Sequence, residues 1–156
     1  MVLIRWFFSL GIGAFLIMFG VAKFSGTAHI FPYIEYKATL FEYPFASAVF
    51  PWLNYAAGAL ELFAGVLVII PFTRDLGSKL AVLPFLGAVA FHLSPLLGVV
   101  TPAGYAGGVP PVDAISAGGP FVRENFSMDA SPTLFVIAAV MLGVSIVNAI
   151  YLQRRF

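Results

Sequence analysis

The 156-residue chain contains no cysteine. That single absence removes disulfides, thiol redox chemistry, iron–sulfur ligation and thiolate metal sites. It says nothing of compartment, since a cysteine-free chain is compatible with either redox side. Charge is nearly as scarce: 10% of residues are Asp, Glu, Lys or Arg, where a soluble domain carries about a quarter. A net charge of +1 leaves no basic patch to neutralise phosphates, so no nucleic-acid partner is expected. HExxH, GxSxG, Walker and dinucleotide fingerprints are all missing. There are two histidines, His29 and His92. Bis-histidine ligation of a haem needs both at matching depth on facing helices, and His29 falls outside every candidate span. No catalytic residue, metal site or cofactor is identified from motifs.

What is present is apolar. Hydrophobic residues make up 61% of the chain, including 17 Phe, 6 Tyr and 2 Trp. A helix crossing the hydrocarbon of a bilayer needs roughly 20 apolar residues. Four segments qualify: about 3–24, about 51–72 interrupted by Glu61, about 80–100 interrupted by His92, and about 133–152. The expected fold is therefore all-α, a four-helix integral membrane bundle forming a single membrane domain over 1–156, with no internal repeat and no soluble domain. Ser131-Pro132 reads as an N-cap with proline in the first helical position, and Pro71 stands where the second span should stop. Gly26 and Ala28 are small enough for signal cleavage. However, the apolar run before them exceeds the usual signal core and Lys23 precedes the site, so the first segment is read as a retained helix.

Orientation follows the distribution of positive charge. Arg5, Arg74, Lys79, Arg154 and Arg155 fall on one side when the spans alternate. Lys23, Lys37 and Arg123 fall on the other, beside Glu35, Glu42, Asp113, Glu124 and Asp129. Both termini and the short 73–79 turn are thus expected in the cytoplasm, in a bacterial inner membrane. The segments at about 25–50 and 101–130 are expected outside. The first is aromatic, an interfacial anchor or a lid over an apolar pocket, partly helical around Ile34–Tyr43. The second, with Gly104, Gly107, Gly108, Pro110, Pro111, Gly118, Gly119 and Pro120, reads as too irregular for a helix.

Helical spacing puts i, i+3, i+4 and i+7 on one face. Ser9, Gly13, Leu16, Gly20 and Lys23 share a face of the first span; Asn54, Gly58, Glu61 and Gly65 share one of the second. Ala88, His92 and Pro95 align in the third, and Ala138, Ser145 and Asn148 in the fourth. Small residues on one face allow close helix contact in lipid, so these stripes are expected to meet at the bundle centre. At about 1.5 Å of rise per residue, Glu61 lies about 15 Å below the outer surface and His92 about 20 Å from the inner one. A carboxylate at that depth costs several kcal/mol unless paired or protonated. Lys23 and His92 are the ionisable candidates to pair with it. The candidate polar site is Lys23, Glu61, His92 and Asn54. It reads as a clasp fixing helix register, as a ligand, quinone or proton-handling site, or as a lipid-facing glutamate.

Several short motifs resemble the DoxX-like family of small four-helix membrane proteins. They are Phe19-Gly20-Val21-Ala22-Lys23-Phe24 closing the first span, and Ala59-Leu60-Glu61-Leu62-Phe63-Ala64-Gly65 followed by Pro71-Phe72-Thr73-Arg74. Phe91-His92-Leu93-Ser94 and Asn125-Phe126 complete the set. Some members of that family resemble subunits of a thiosulfate:quinone oxidoreductase; others accompany larger membrane proteins. The lack of catalytic motifs, the small size and outer segments suited to docking favour a non-catalytic accessory subunit of a larger membrane complex, which the resemblance would make redox- or quinone-linked, with membrane lipids and other membrane subunits as partners. The alternative is a quinone- or lipid-binding oxidoreductase component using Glu61, His92 and Lys23. Transport through the bundle is a third reading, constrained by the small space four helices enclose. Without cysteine, a direct sulfur-transfer role has no nucleophile.

Overall fold

The computed structural model describes residues 2–117 and 120–152; Gly118, Gly119, Arg154 and Arg155 lie outside the described residues. The chain forms α1 (Val2–Phe24), α2 (Ile30–Leu40), α3 (Ala46–Ile69), α4 (Arg74–Leu80), α5 (Val82–Leu93), α6 (Val112–Ala117) and α7 (Thr133–Val147). Two short strands, β1 (Thr101–Pro102) and β2 (Ala130–Ser131), pair antiparallel. Four helical stretches are long and apolar enough to cross a membrane: Leu3–Phe24, Ala46–Ile69, Arg74–Leu93 and Thr133–Ile150. Their outward faces carry large apolar side chains such as Phe7, Phe63, Leu86 and Val140, all more than half exposed. Such a belt suits hydrocarbon rather than water.

Helix ends differ from the sequence reading at four places, each for a local reason. The second span begins at Ala46, not near Pro51, which sits inside α3. A proline this close to the N-terminus forfeits only one intrahelical bond. The third span covers Arg74–Leu93, not 80–100, so the expected 73–79 turn is mostly helix. It stops before Pro95, because Ser94 takes the extended conformation (ψ 158°) that a following proline favours. The interfacial helix is Ile30–Leu40 and stops short of Tyr43; Glu42 and Phe45 adopt positive φ and turn the chain into α3. In the fourth span the N-cap is Pro132, not Ser131, and Pro132 is not the first helical residue; Ser131 belongs to β2, where its Oγ accepts the Thr133 backbone N–H at 3.0 Å.

Two helix pairs make the bundle. α1 runs along α3 at a spacing set by glycine: a Cβ on Gly13 would stand 2.9 Å from the Gly65 carbonyl oxygen, and one on Gly20 would stand 3.0 Å from that of Gly58. α5 runs along α7. The pairs join through Ile12, Leu16, Ala64, Val68, Ala81 and Phe85. At this end α4 folds onto α3, and Gly77 rests directly on the Leu67–Val68 backbone. Arg74 closes the end of α3. Its Nε and Nη2 donate to the Val68 and Ile69 carbonyls at 3.3 and 3.2 Å, and its guanidinium stacks 3.9 Å above the Trp6 ring centroid. These carbonyls lack helical partners, so a cation there is favoured twice, by hydrogen bonding and by the helix dipole. Asn148 donates to Ser78 Oγ at 2.9 Å in the same region.

The other end, called here the loop end, carries α2 and residues 94–132. The second long segment is more ordered than its glycine and proline content suggests. It contains α6, the β1–β2 pair and a Tyr105–Phe126 bridge. Tyr105, Phe121 and Phe126 form a small aromatic core against Tyr33 and Tyr36 of α2. Two hydrogen bonds fasten it to the start of α2: His29 Nε2 donates to the Pro102 carbonyl at 2.9 Å, and Tyr105 OH to that of Ala28 at 3.1 Å.

Candidate functional site

The first two spans bring Lys23 and Glu61 together. Lys23 Nζ lies 2.7 Å from both Glu61 carboxylate oxygens, and both residues are buried. Lys23 lies one turn from Gly20 toward the loop end, and Glu61 one turn from Gly58 in the opposite direction. The lysine stem therefore reaches back along the glycine contact. Gly58 leaves it room: a Cβ there would stand 3.1 Å from Lys23 Cβ. A lipid-facing position for Glu61 is thereby excluded.

The other two candidates take different places. His92 is buried on α5, but its hydrogen bond goes to the Gly98 carbonyl, 2.8 Å from Nδ1. A carbonyl only accepts, so Nδ1 carries the proton and, in the neutral ring, Nε2 presents a lone pair. Pro95, expected beside His92 on a helical face, lies beyond the end of α5. Asn54 donates to the Lys23 carbonyl at 3.2 Å, while its buried Oδ1 has no partner.

Between the helix pairs, toward the loop end, lies a cavity of about 410 Å³. α2 roofs it with Ile30, Phe31 and Ile34, and Phe15, Phe19 and Phe91 contribute aromatic walls. Its polar wall consists of Lys23, Glu61, His92, His29 and Thr27. Small side chains on all four spans, among them Ala22, Ala57, Gly87 and Ala138, hold the space open. The volume falls within the range of about 300–1,000 Å³ typical of small-molecule sites, and the pattern of apolar walls with few convergent polar groups is also typical.

A second, smaller cavity of about 60 Å³ lies on the other side of Lys23, which lines both. Glu35 and Asn54 face it. Glu35 is 3% exposed, and its Oε1 has no hydrogen-bond partner. Burial raises its carboxyl from 4.5 to about 7. Burial also lowers the His29 imidazole below its ordinary value, against the opposing hydrogen bond to Pro102, and pushes the Tyr105 phenol up to about 12.

His29 and Glu35 have no sequence signal for this position. By sequence His29 is an outer-segment histidine and Glu35 one of several charges on the outer side. Residues 94–132 fold over α2 and, for Glu35 together with α3, bury them. Among the described residues, no cluster of three or more His, Asp or Glu could hold a metal ion. The arrangement is that of a four-helix bundle with a largely apolar cavity and one ion pair in its wall. No family model, curated protein or solved structure matches this chain.

Proposed function

We propose that the chain is a membrane-embedded binding protein for an apolar ligand with a hydrogen-bonding head, of the quinone class, serving a redox-linked membrane complex. One observation carries this reading: the Lys23–Glu61 pair lies in the wall of a largely apolar cavity of about 410 Å³. Lys23 has donors to offer a quinone carbonyl, and His92 Nε2 can accept from a hydroxyl. The aromatic walls suit a ring and the start of an isoprenoid tail. With Cys absent there is no thiol or iron–sulfur carrier, and electrons would come from a partner subunit or from the quinone itself. The motif resemblance to the DoxX-like family points the same way and stands as a proposal of kinship. We place both termini in the cytoplasm of a bacterial inner membrane, from the charges at Arg5, Arg74 and Lys79.

The test is equilibrium binding of a radiolabelled short-chain quinone to the protein in mild detergent. Saturable binding is expected, weakened about 10- to 100-fold in the Lys23→Met/Glu61→Gln double variant, the loss of one charge-assisted hydrogen bond. Absent saturable binding, or unchanged affinity in that variant, overturns the reading. A specific observation favours a second reading, an accessory subunit without a ligand of its own. Phe45, Trp52 and Met128 are 77%, 76% and 82% exposed on the loop side of the bundle. A stoichiometric partner in native-membrane purification, lost on Phe45→Ser/Trp52→Ser and accompanied by no quinone, would favour it.

A further inference from the structure

The binding reading leaves the small cavity beside Lys23 without a role. A buried carboxylate with an unpartnered oxygen is unfavourable, and so is a buried amide oxygen without a donor. Here both occur, on Glu35 and Asn54, and both face the same cavity of about 60 Å³. A space of that size has room for water, which needs only about 10–15 Å³ of such volume and two or more polar partners; the unpartnered Glu35 and Asn54 oxygens supply two. Its lining also includes Tyr55, which is 44% exposed, so the space approaches the surface of α3. On its inner side stands Lys23, whose ammonium is held by Glu61 and which also faces the large cavity.

We propose that Glu35 is a proton-exchanging group that links the loop-end surface to the large cavity through water held between Glu35, Asn54 and Lys23. The step moves one proton. Glu35 releases it to cavity water, which delivers it past Lys23 to a ligand oxygen or to the Glu61 carboxylate; Glu35 then regains a proton from solvent at the loop end. The function of such a path rests on the binding reading above, because a bound ligand is what would consume or release the proton. The titratable groups facing Glu35 are few. α1 supplies Lys23, with Glu61 behind it; α3 supplies Tyr55; the 94–132 segment supplies Tyr105, whose hydroxyl is engaged by Ala28. Lys37, on Glu35's own helix, is drawn 5.4 Å over the Phe41 ring instead. Burial, with no neighbouring charge added to it, is what raises Glu35. Burial brings the carboxyl to about 7, so both of its protonation states are populated near neutral pH.

Infrared spectroscopy of the protein in phosphatidylcholine bilayers, with no quinone added, tests this separately from ligand binding. A protonated-carboxyl stretch is expected to titrate with a midpoint near 7 and to vanish in Glu35→Gln. On transfer to D2O the band should shift promptly in the wild type and at least about tenfold more slowly in Asn54→Leu, which removes one of the two water-holding oxygens. A band that persists in Glu35→Gln, or unchanged exchange in Asn54→Leu, overturns the proposal. Quinone binding with no titrating Glu35 band would sink the relay and leave the binding reading intact. A titrating band in a protein that binds no quinone would do the reverse.

Discussion

Lys23 on α1 and Glu61 on α3 form an ion pair that straddles the Gly20–Gly58 contact, with Nζ 2.7 Å from each carboxylate oxygen. The pair exists because two helices approach closely enough for a lysine stem to lie along a glycine. Its polar ends are buried between apolar faces, so each charge depends on the other for compensation.

Removing one partner should therefore be worse than removing both. Glu61→Gln or Lys23→Met alone is expected to destabilise by about 3–5 kcal/mol, less where the orphaned group neutralises itself. The double variant should recover a large part of that loss. Thermal unfolding in detergent across the full cycle measures it. Additive single losses would mean that the two charges are independently accommodated.

Glycine substitutions should rank by what a methyl group meets. Gly77→Ala drives a Cβ into the Leu67–Val68 backbone, which cannot move aside, and should prevent stable folding. Gly13→Ala meets the Ile69 side chain and the Gly65 carbonyl, and is expected to cost about 1–3 kcal/mol as overpacking. Gly11→Ala meets nothing within 4 Å and should be neutral or stabilising by up to about 1 kcal/mol of helix propensity. Expression and melting temperature give the order directly.

Filling the large cavity should separate binding from stability. Gly87 lines it, and a Cβ there would meet nothing within 4 Å. Gly87→Phe leaves the Lys23–Glu61 pair untouched, so quinone binding should fall while the melting temperature holds or rises. Unchanged binding would place the ligand elsewhere.

Stability should depend on pH in two windows of opposite sign. The Glu35 carboxyl is raised from 4.5 to about 7, so between these values the folded protein binds the extra proton. Stability then falls as pH rises through that window, by about 3 kcal/mol in all. His29 is lowered from 6.5 by burial, so the unfolded chain takes up its proton first and stability falls on acidification below that value. Glu35→Gln should abolish the loss on the alkaline side and leave the acid-side loss in place. Melting temperatures from about pH 4 to about pH 8 check both signs.

Replacing Arg74 by lysine should weaken the turn between α3 and α4. A lysine offers neither the planar stack on Trp6 nor the fork to the Val68 and Ile69 carbonyls. A loss of about 1–2 kcal/mol is expected, and full recovery by lysine would reduce the role of Arg74 to charge alone.

The four apolar spans are legible from local composition, because length and hydropathy suffice where hydrocarbon is the solvent. The sequence also placed Lys23, Gly20, Gly58 and Glu61 on single faces, since helical periodicity is a local property. Helix ends were legible only approximately: Pro51 is tolerated inside α3, whereas Pro95 ends α5 through the residue before it. Pairing was a matter for the tertiary structure. It joined Glu61 to Lys23 and turned His92 toward Gly98, a choice that depends on which side chains arrive at one depth. The cavities were decided there as well. The large one arises where two helix pairs part beneath α2, and the small one where residues 94–132 fold over Glu35. No local pattern encodes either space, because each is bounded by segments far apart in the chain. Glu35 shows the consequence most plainly: in sequence it is one charge in an aromatic stretch, and only long-range packing makes it a buried carboxyl facing a cavity.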